Sequence, residues 1–217
     1  MADLTPAAQP PYRTLAARGE EEFTEKRSRF IGYCAPAESE HAALDFIASI
    51  KAMHKTASHN VWAYNLRESH LVRYTDDGEP SGTAGLPVLD VLKRGEIVDA
   101  VIVITRYFGG TLLGTGGLVR AYGEGASRAV RAAGVATMAP CSIYTLDCAY
   151  GDYDRLERLL RELGATVTDS AFTDRVALRV ALAQADGPRL CADVRELTRG
   201  ETAPAFLETR YERVSVE

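Results

Sequence analysis

Five glycines fall within the nine residues 109–117, at Gly109, Gly110, Gly114, Gly116 and Gly117, with Arg106 before them and Arg120 after. A glycine-rich loop that enters a helix leaves backbone N–H groups unpaired beside the positive end of the helix dipole, which is the chemistry of anion binding. Gly109, Gly110, Thr115, Gly116 and Gly117 would supply the amides, and Arg106 and Arg120 the charge. A second run of small residues, DDGEPSGTAG at 76–85, offers Ser81 and Thr83 at the start of another helix, so one anion site forms if the fold joins the two loops. The specific phosphate motifs are not matched. The P-loop needs Lys where Thr115 follows Gly114, and the dinucleotide fingerprint needs Gly or Ala where Val119 stands. The structural alternative is that the glycines serve only tight turning and close packing of strand on helix.

Two further constellations carry possible chemistry. Lys26, Arg27 and Arg29 form a basic cluster, and Tyr107 and Phe108 stand beside the glycine loop, a pairing of cations and aromatics that suits RNA phosphates and bases. Against this, a solvated strand end and aromatic cover for the core explain the same residues. Asp76, Asp77 and Glu79, with His59 as ligand or general base, could hold a hard divalent metal for hydrolysis. Their spacing matches no established metal motif, Ser81 lies outside a nucleophile elbow, and turn-forming aspartates are the plainer account, so no catalytic residue and no cofactor are assigned.

The elements that must position these residues follow from periodicity. Residues 97–105 are a near-unbroken Val/Ile run, as in a strand buried on both faces, and they feed the glycine loop. Leu118, Tyr122, Ala126, Ala129 and Ala133 then recur at helical spacing. Upstream, 26–34 reads as a strand, Ser39 as the cap of a helix bearing Ala43, Phe46, Ile47 and Ile50, and 58–66 and 71–75 as paired strands with His59 at the start of the first. Thr83 is expected to cap the helix of Leu86, Val88, Leu89 and Leu92. Residues 134–140 read as a short flexible boundary. Beyond it the order is strand, helix, hairpin, helix, strand: βαββαβ, the ferredoxin-like arrangement. The expected domains are therefore a disordered Ala/Pro-rich lead-in at 1–19, an N-terminal domain at 20–136 and a ferredoxin-like C-terminal domain at 141–217.

Composition narrows the function classes. The 217 residues are 46% hydrophobic and 25% charged with a net charge of −5, a soluble globular profile. The charge is uneven, −1 up to residue 139 and −4 beyond it, so a bulk basic field is excluded and nucleic-acid contact must come from a local patch. No apolar run nears the roughly 20 residues of a membrane span and no secretion signal opens the chain, which makes the cytoplasm the expected location. Cys34, Cys141, Cys148 and Cys191 lack C-x-x-C pairing and are read as reduced thiols.

Four segments, KRSRFIG, SHNVWAY, DDGEPSGTAGLPVLDVL and VITRYFGGTLLGTGGLVRAY, closely resemble the IMPACT family, in particular its bacterial YigZ-like members, over about residues 20–135. The resemblance implies an α+β protein. Its N-terminal domain would have the fold of a ribosomal-protein domain and of elongation-factor domain IV, a sheet with helices on one side, and its ferredoxin-like tail would resemble elongation-factor domain V. It further implies regulation of translation, with RNA or the ribosome as partner. An acidic C-terminal domain could in addition dock a basic protein partner as an adaptor. Family members often carry a basic residue where this chain has Leu112. Oligomeric state is left open.

Overall fold

Unbroken apolar strands require cover on both sides, and the first unit of the molecule supplies it. In the computed structural model, which describes residues 10–216, the chain divides into two units, Tyr12–Thr137 with Ser215 and Val216, and Met138–Val214 with Pro10 and Pro11. The first contains β1 (Tyr12–Leu15), β2 (Gly19–Glu25), β3 (Ser28–Pro36), α1 (Glu40–Met53), β4 (His59–Leu66), β5 (Leu71–Thr75), α2 (Gly85–Arg94), β6 (Ala100–Tyr107) and α3 (Thr115–Ala133). Its main sheet is antiparallel in the order β2–β3–β6–β4–β5, with β6 at the centre.

Side chains of a strand alternate between faces, so β3 and β6 feed two cores. Phe30, Cys34, Ile102 and Ile104 meet Val88, Leu89 and Leu92 of α2 and Leu118, Tyr122, Ala126 and Ala129 of α3. Ile31, Tyr33, Val101 and Val103 meet Ala43, Ile47 and Ile50 of α1 on the opposite face. The expectation of helices on one side is thus corrected: α1 covers one face, α2 and α3 the other. The apolar stripe of α1 has to be buried somewhere, and the second apolar face of β3 and β6 is where it goes. Alpha3 lies close to the sheet because its contact residues are small; a Cβ added at Gly32 would come within 2.6 Å of the Gly125 carbonyl oxygen.

The second unit contains β7 (Val135–Cys148, whose first residues belong to the first unit), α4 (Tyr150–Glu162), β8 (Thr166–Phe172), β9 (Val176–Ala183), α5 (Gly187–Leu197) and β10 (Ala205–Val216). Its strands are ordered β10–β7–β9–β8, with β9 antiparallel to both β7 and β8. Leu156 and Leu160 of α4 and Leu190 and Val194 of α5 bury against Leu146, Val176, Leu178 and Val180 of the sheet. Among the described residues the architecture is mixed α and β, with two antiparallel sheets and five α-helices, none long and apolar enough to cross a membrane.

Several local expectations change. Residues 1–9 of the lead-in lie outside the described residues, whereas Tyr12–Leu15 is a strand, held by a bridge from Arg13 to Ile97 and by the Ala16 amide donating to the Gly134 carbonyl. The division between the two units falls within the expected stretch, 134–140, at Thr137/Met138, and the chain crosses it as strand, Val135 onwards forming the first half of β7. Lys26 and Arg27 do not extend β3; with φ of 44° and 70° they form the two-residue turn between β2 and β3, the left-handed geometry that the twist of a tight hairpin demands.

Candidate functional site

Register assembles the site first. Across the sheet, Phe30 of β3 pairs with Arg106 of β6, and Arg106 with His59 of β4, so the three stand in one row where β6 gives way to the glycine loop. Phe30 belongs to the core under α2 and α3, which puts the row on that face. Glu79, from the loop between β5 and α2, comes down onto this row. Its Oε1 accepts from Arg106 Nη1 at 2.6 Å and from the Tyr122 hydroxyl of α3 at 2.7 Å, with His59 Nε2 at 3.8 Å. The two charged side chains are almost wholly buried, Arg106 at 5% exposure and Glu79 at 4%. Burial and the Glu79 carboxylate push the Tyr122 phenol far up, so it stays a protonated donor.

This corrects the role expected of Arg106. It is not a free cation facing an anion. Nη1 is committed to Glu79, Nη2 donates to Ser28 Oγ at 3.2 Å, and the guanidinium carbon lies 5.4 Å from the ring centres of both Phe30 and Phe108. A charge this deep in a core must be paired, and Glu79 is the pair. Arg106 Nε is buried without a hydrogen-bond partner.

The acidic loop is also spoken for. Asp76 Oδ1 accepts from the Ala84 and Gly85 amides at the start of α2, and its Oδ2 from Gly82 N. The cap of α2 is therefore Asp76 and not Thr83, whose buried hydroxyl donates to the Pro80 carbonyl at 2.7 Å. Eight residues separate Asp76 from Ala84, and only the folded loop brings them together. Asp77 accepts from Asn60 N at 2.7 Å and from Lys51 Nζ at 3.3 Å, and its carbonyl oxygen lies 2.8 Å from His59 Nδ1. Among the described residues no group of three or more His, Cys, Asp or Glu is placed to hold a metal ion. Asp76, Asp77, Glu79 and His59 thus meet around the loop, but two of the three carboxylates secure backbone and the third neutralises an arginine.

The glycine loop divides between structure and opening. Gly109 donates its amide to Ser28 Oγ at 3.3 Å, and a Cβ there would collide with the Arg27 carbonyl, so glycine is what lets the loop lie against the β2–β3 turn. Gly110 and Gly114 take φ of 82° and 75°. Past them, α3 begins with no side-chain cap, and the amides of Thr115, Gly116 and Gly117 have no acceptor among the described residues. These donors are open at the positive end of a 19-residue helix.

Two cavities flank this opening, and Leu113 lines both. One, of about 630 Å³, is bounded by Phe23, Gly117 and the charged side chains of Glu25, Lys26, Arg120, Glu124 and Arg128, the last two paired with each other. The other, of about 400 Å³, lies over the buried row and is lined by His59, Glu79, Pro80, Arg106, Phe108, Leu112, Gly114, Thr115 and Leu118. The two small-residue loops therefore do share a surface, through Glu79 and Pro80 on one side and Gly114 and Thr115 on the other; Ser81 is exposed outside it.

The basic and aromatic candidates separate in the same way. Arg29 is held by Glu22, with Nε to Oε1 at 2.8 Å and Nη2 to Oε2 at 2.6 Å, and lies over the Tyr107 ring. Tyr107 donates or accepts at His54 Nδ1, 2.9 Å away, while His54 Nε2 meets the Tyr33 hydroxyl at 2.8 Å, on the face covered by α1. Burial lowers the His54 pKa and raises that of Tyr33 to about 12. Tyr107 is engaged with His54, while Arg29 shares its charge with Glu22 in a half-exposed pair. Lys26, Arg27 and Arg120 are exposed and make no ion pair among the described residues, and Phe108 is 47% exposed. Sequence reasoning placed Tyr122 only on a helical stripe and missed it as a partner of Glu79. The available signal was a hydroxyl on an apolar stripe, which burial obliges to find an acceptor.

Comparison with known proteins matches residues 26–130 to the Impact N-terminal domain and residues 146–201 to a domain of unknown function, DUF1949. The chain is 36% identical over 192 residues to the IMPACT family member YvyE of Bacillus subtilis, covering 88% of each protein. It is 38% identical over 178 residues to the IMPACT family member YigZ of Escherichia coli, covering 81% of this chain and 87% of that one. A crystal structure described as that of a hypothetical protein superposes with a TM-score of 0.58 at 34% identity, covering 92% of this chain and 98% of that chain.

Proposed function

The chain belongs to the IMPACT family, and from that premise we propose that it is a cytoplasmic regulator of translation that binds RNA, free or within the ribosome. The observation that carries this reading is a local one. Lys26 and Arg120, which make no ion pair among the described residues, line the cavity beside the uncapped first turn of α3, where Thr115, Gly116 and Gly117 present amides without an acceptor among those residues. A phosphate set there receives hydrogen bonds from backbone that needs no reorganisation, along with charge from two side chains that give up no existing partner. Phe108 supplies an exposed ring for a base. The overall charge of −5 does not oppose this, because the contacts are short-range and the patch is confined to one edge of the first unit.

The second unit fits the same reading as a ferredoxin-like domain akin to elongation-factor domain V. Its βαββαβ order and its strand order β10–β7–β9–β8 support that assignment.

Titrating the protein into fluorescent single-stranded RNA over a range of salt tests the proposal. Affinity should fall steeply with salt, and neutralising Lys26 or Arg120 should each reduce the slope of log K against log salt by about 0.7. Binding that is absent, or indifferent to salt, would refute it.

A further inference from the structure

The cavity over the buried row differs in kind from the one lined by Lys26 and Arg120, whose charged residues also include Glu25, Glu124 and Arg128. Its walls are apolar, from Phe108, Leu112 and Leu118, and its polar part is the floor of His59, Glu79 and Arg106. At about 400 Å³ it has the size of a small-molecule site rather than of a phosphate cradle. The floor has a definite hydrogen-bonding character. Glu79 directs Oε1 to Arg106 and Tyr122, while its Oε2 has no hydrogen-bond partner among the described residues, although the side chain is only 4% exposed. That oxygen is not among the fully buried unpartnered atoms, so it is an acceptor that remains accessible beside the cavity. His59 Nδ1 sits 2.8 Å from the Asp77 carbonyl, which can only accept, so Nδ1 carries a proton, and in that tautomer Nε2, 3.8 Å from Glu79 Oε1, offers a second acceptor beside the first. Two neighbouring acceptors at the bottom of an apolar slot, one edge of which is the open start of α3, describe the complement of a flat ring with two adjacent donors.

Resting on the RNA-binding reading above, we propose that this cavity receives one unpaired nucleobase of the bound strand, with guanine preferred. The exposed ring of Phe108 stacks on the base, and the phosphate next to it lies on the first turn of α3. Guanine presents N1–H and the N2 amino group side by side, matching Glu79 Oε2 and His59 Nε2. Adenine, cytosine and uracil each set an acceptor beside their donor and leave one floor group unmet. Duplex RNA is excluded because its bases are paired and stacked.

The test uses the full-length protein and three short oligouridines, carrying at the centre a guanosine, a uridine or an abasic ribose, with binding read by fluorescence anisotropy. The guanosine oligomer should bind at least about tenfold more tightly than the abasic one. Phe108→Ala should erase most of that difference without altering the salt slope, and Glu79→Gln should reduce the preference for guanosine over uridine. Phe108 is at the surface, so its variant remains informative if the Glu79 variant does not fold. Equal, salt-sensitive binding of all three oligomers would overturn the base pocket and leave the phosphate reading standing. No binding of any oligomer would overturn both.

Discussion

Arg106 and Arg120 stand at the two ends of one glycine stretch and carry the same charge, yet the fold gives them opposite fates. Arg106 is enclosed at the end of β6, where Glu79, Ser28 and two aromatic rings occupy it. Arg120 lies on the exposed side of α3, lines an open cavity and makes no ion pair among the described residues. What separates a structural from a functional arginine here is the local dielectric. A guanidinium in the core costs several kcal/mol to desolvate and is retained only with a fitted partner, whereas one in water keeps its full capacity for a ligand.

The contrast can be broken most directly at Glu79. Glu79→Ala leaves Arg106 charged and buried and the Tyr122 hydroxyl without its acceptor. Urea unfolding of this variant should show a loss of about 3–5 kcal/mol. The pair and not the carboxylate alone is responsible if Glu79→Ala combined with Arg106→Leu costs less than the two single changes added together. A cost near zero for Glu79→Ala would mean the cluster is not buried in solution.

Asp76 tests whether the acidic loop is structural. Removing its carboxylate in Asp76→Ala withdraws the acceptor of three amides at the start of α2, and the unfolding midpoint should correspond to a loss of about 1–2 kcal/mol. Added Mg²⁺ should not raise the midpoint of the native protein; a rise would restore the metal reading.

On the open side the expectations reverse. Arg120→Ala should leave stability within about 0.5 kcal/mol of the native protein while weakening RNA binding at low salt, since it removes a ligand contact and no internal one. A stability loss comparable to that of Asp76→Ala would mean that Arg120 has a partner in solution.

Smallest is the effect expected at His54, on the opposite face of the sheet. Burial holds its folded pKa below the usual 6.5, so the unfolded chain binds the proton more readily. Stability from this group is complete at higher pH and is lost as pH falls from about 6.5 through the depressed folded value. Urea midpoints of His54→Gln and native protein, followed from pH 7.5 downwards, should therefore differ less in acid; a constant difference would show that His54 does not titrate differently on folding.

Elements and family were largely legible in the sequence, because both are written locally. The Val/Ile run of β6, the three-to-four spacing of α3 and the Ser39 cap of α1, whose Oγ accepts from Ala42 N, need only neighbouring residues. The four motifs that resemble the IMPACT family are continuous stretches, and the family is borne out. The glycine loop entering a helix is legible for the same reason, although the Gly109 amide is taken by Ser28 Oγ and only those of Thr115, Gly116 and Gly117 lack an acceptor among the described residues.

Partnership was not legible. That Asp76 caps a helix eight residues on, that Glu79 reaches Arg106 across 27 positions and Tyr122 across 43, and that α1 takes the face opposite α2 and α3 are facts about distance in space. The chain by itself determined which residues could be charged, apolar or unconstrained, through their chemistry and their period. Only the packed sheet decided which charges would be desolvated and therefore neutralised in pairs, and which would be left in water to meet something else, because that depends on strand register and on which helix covers which face.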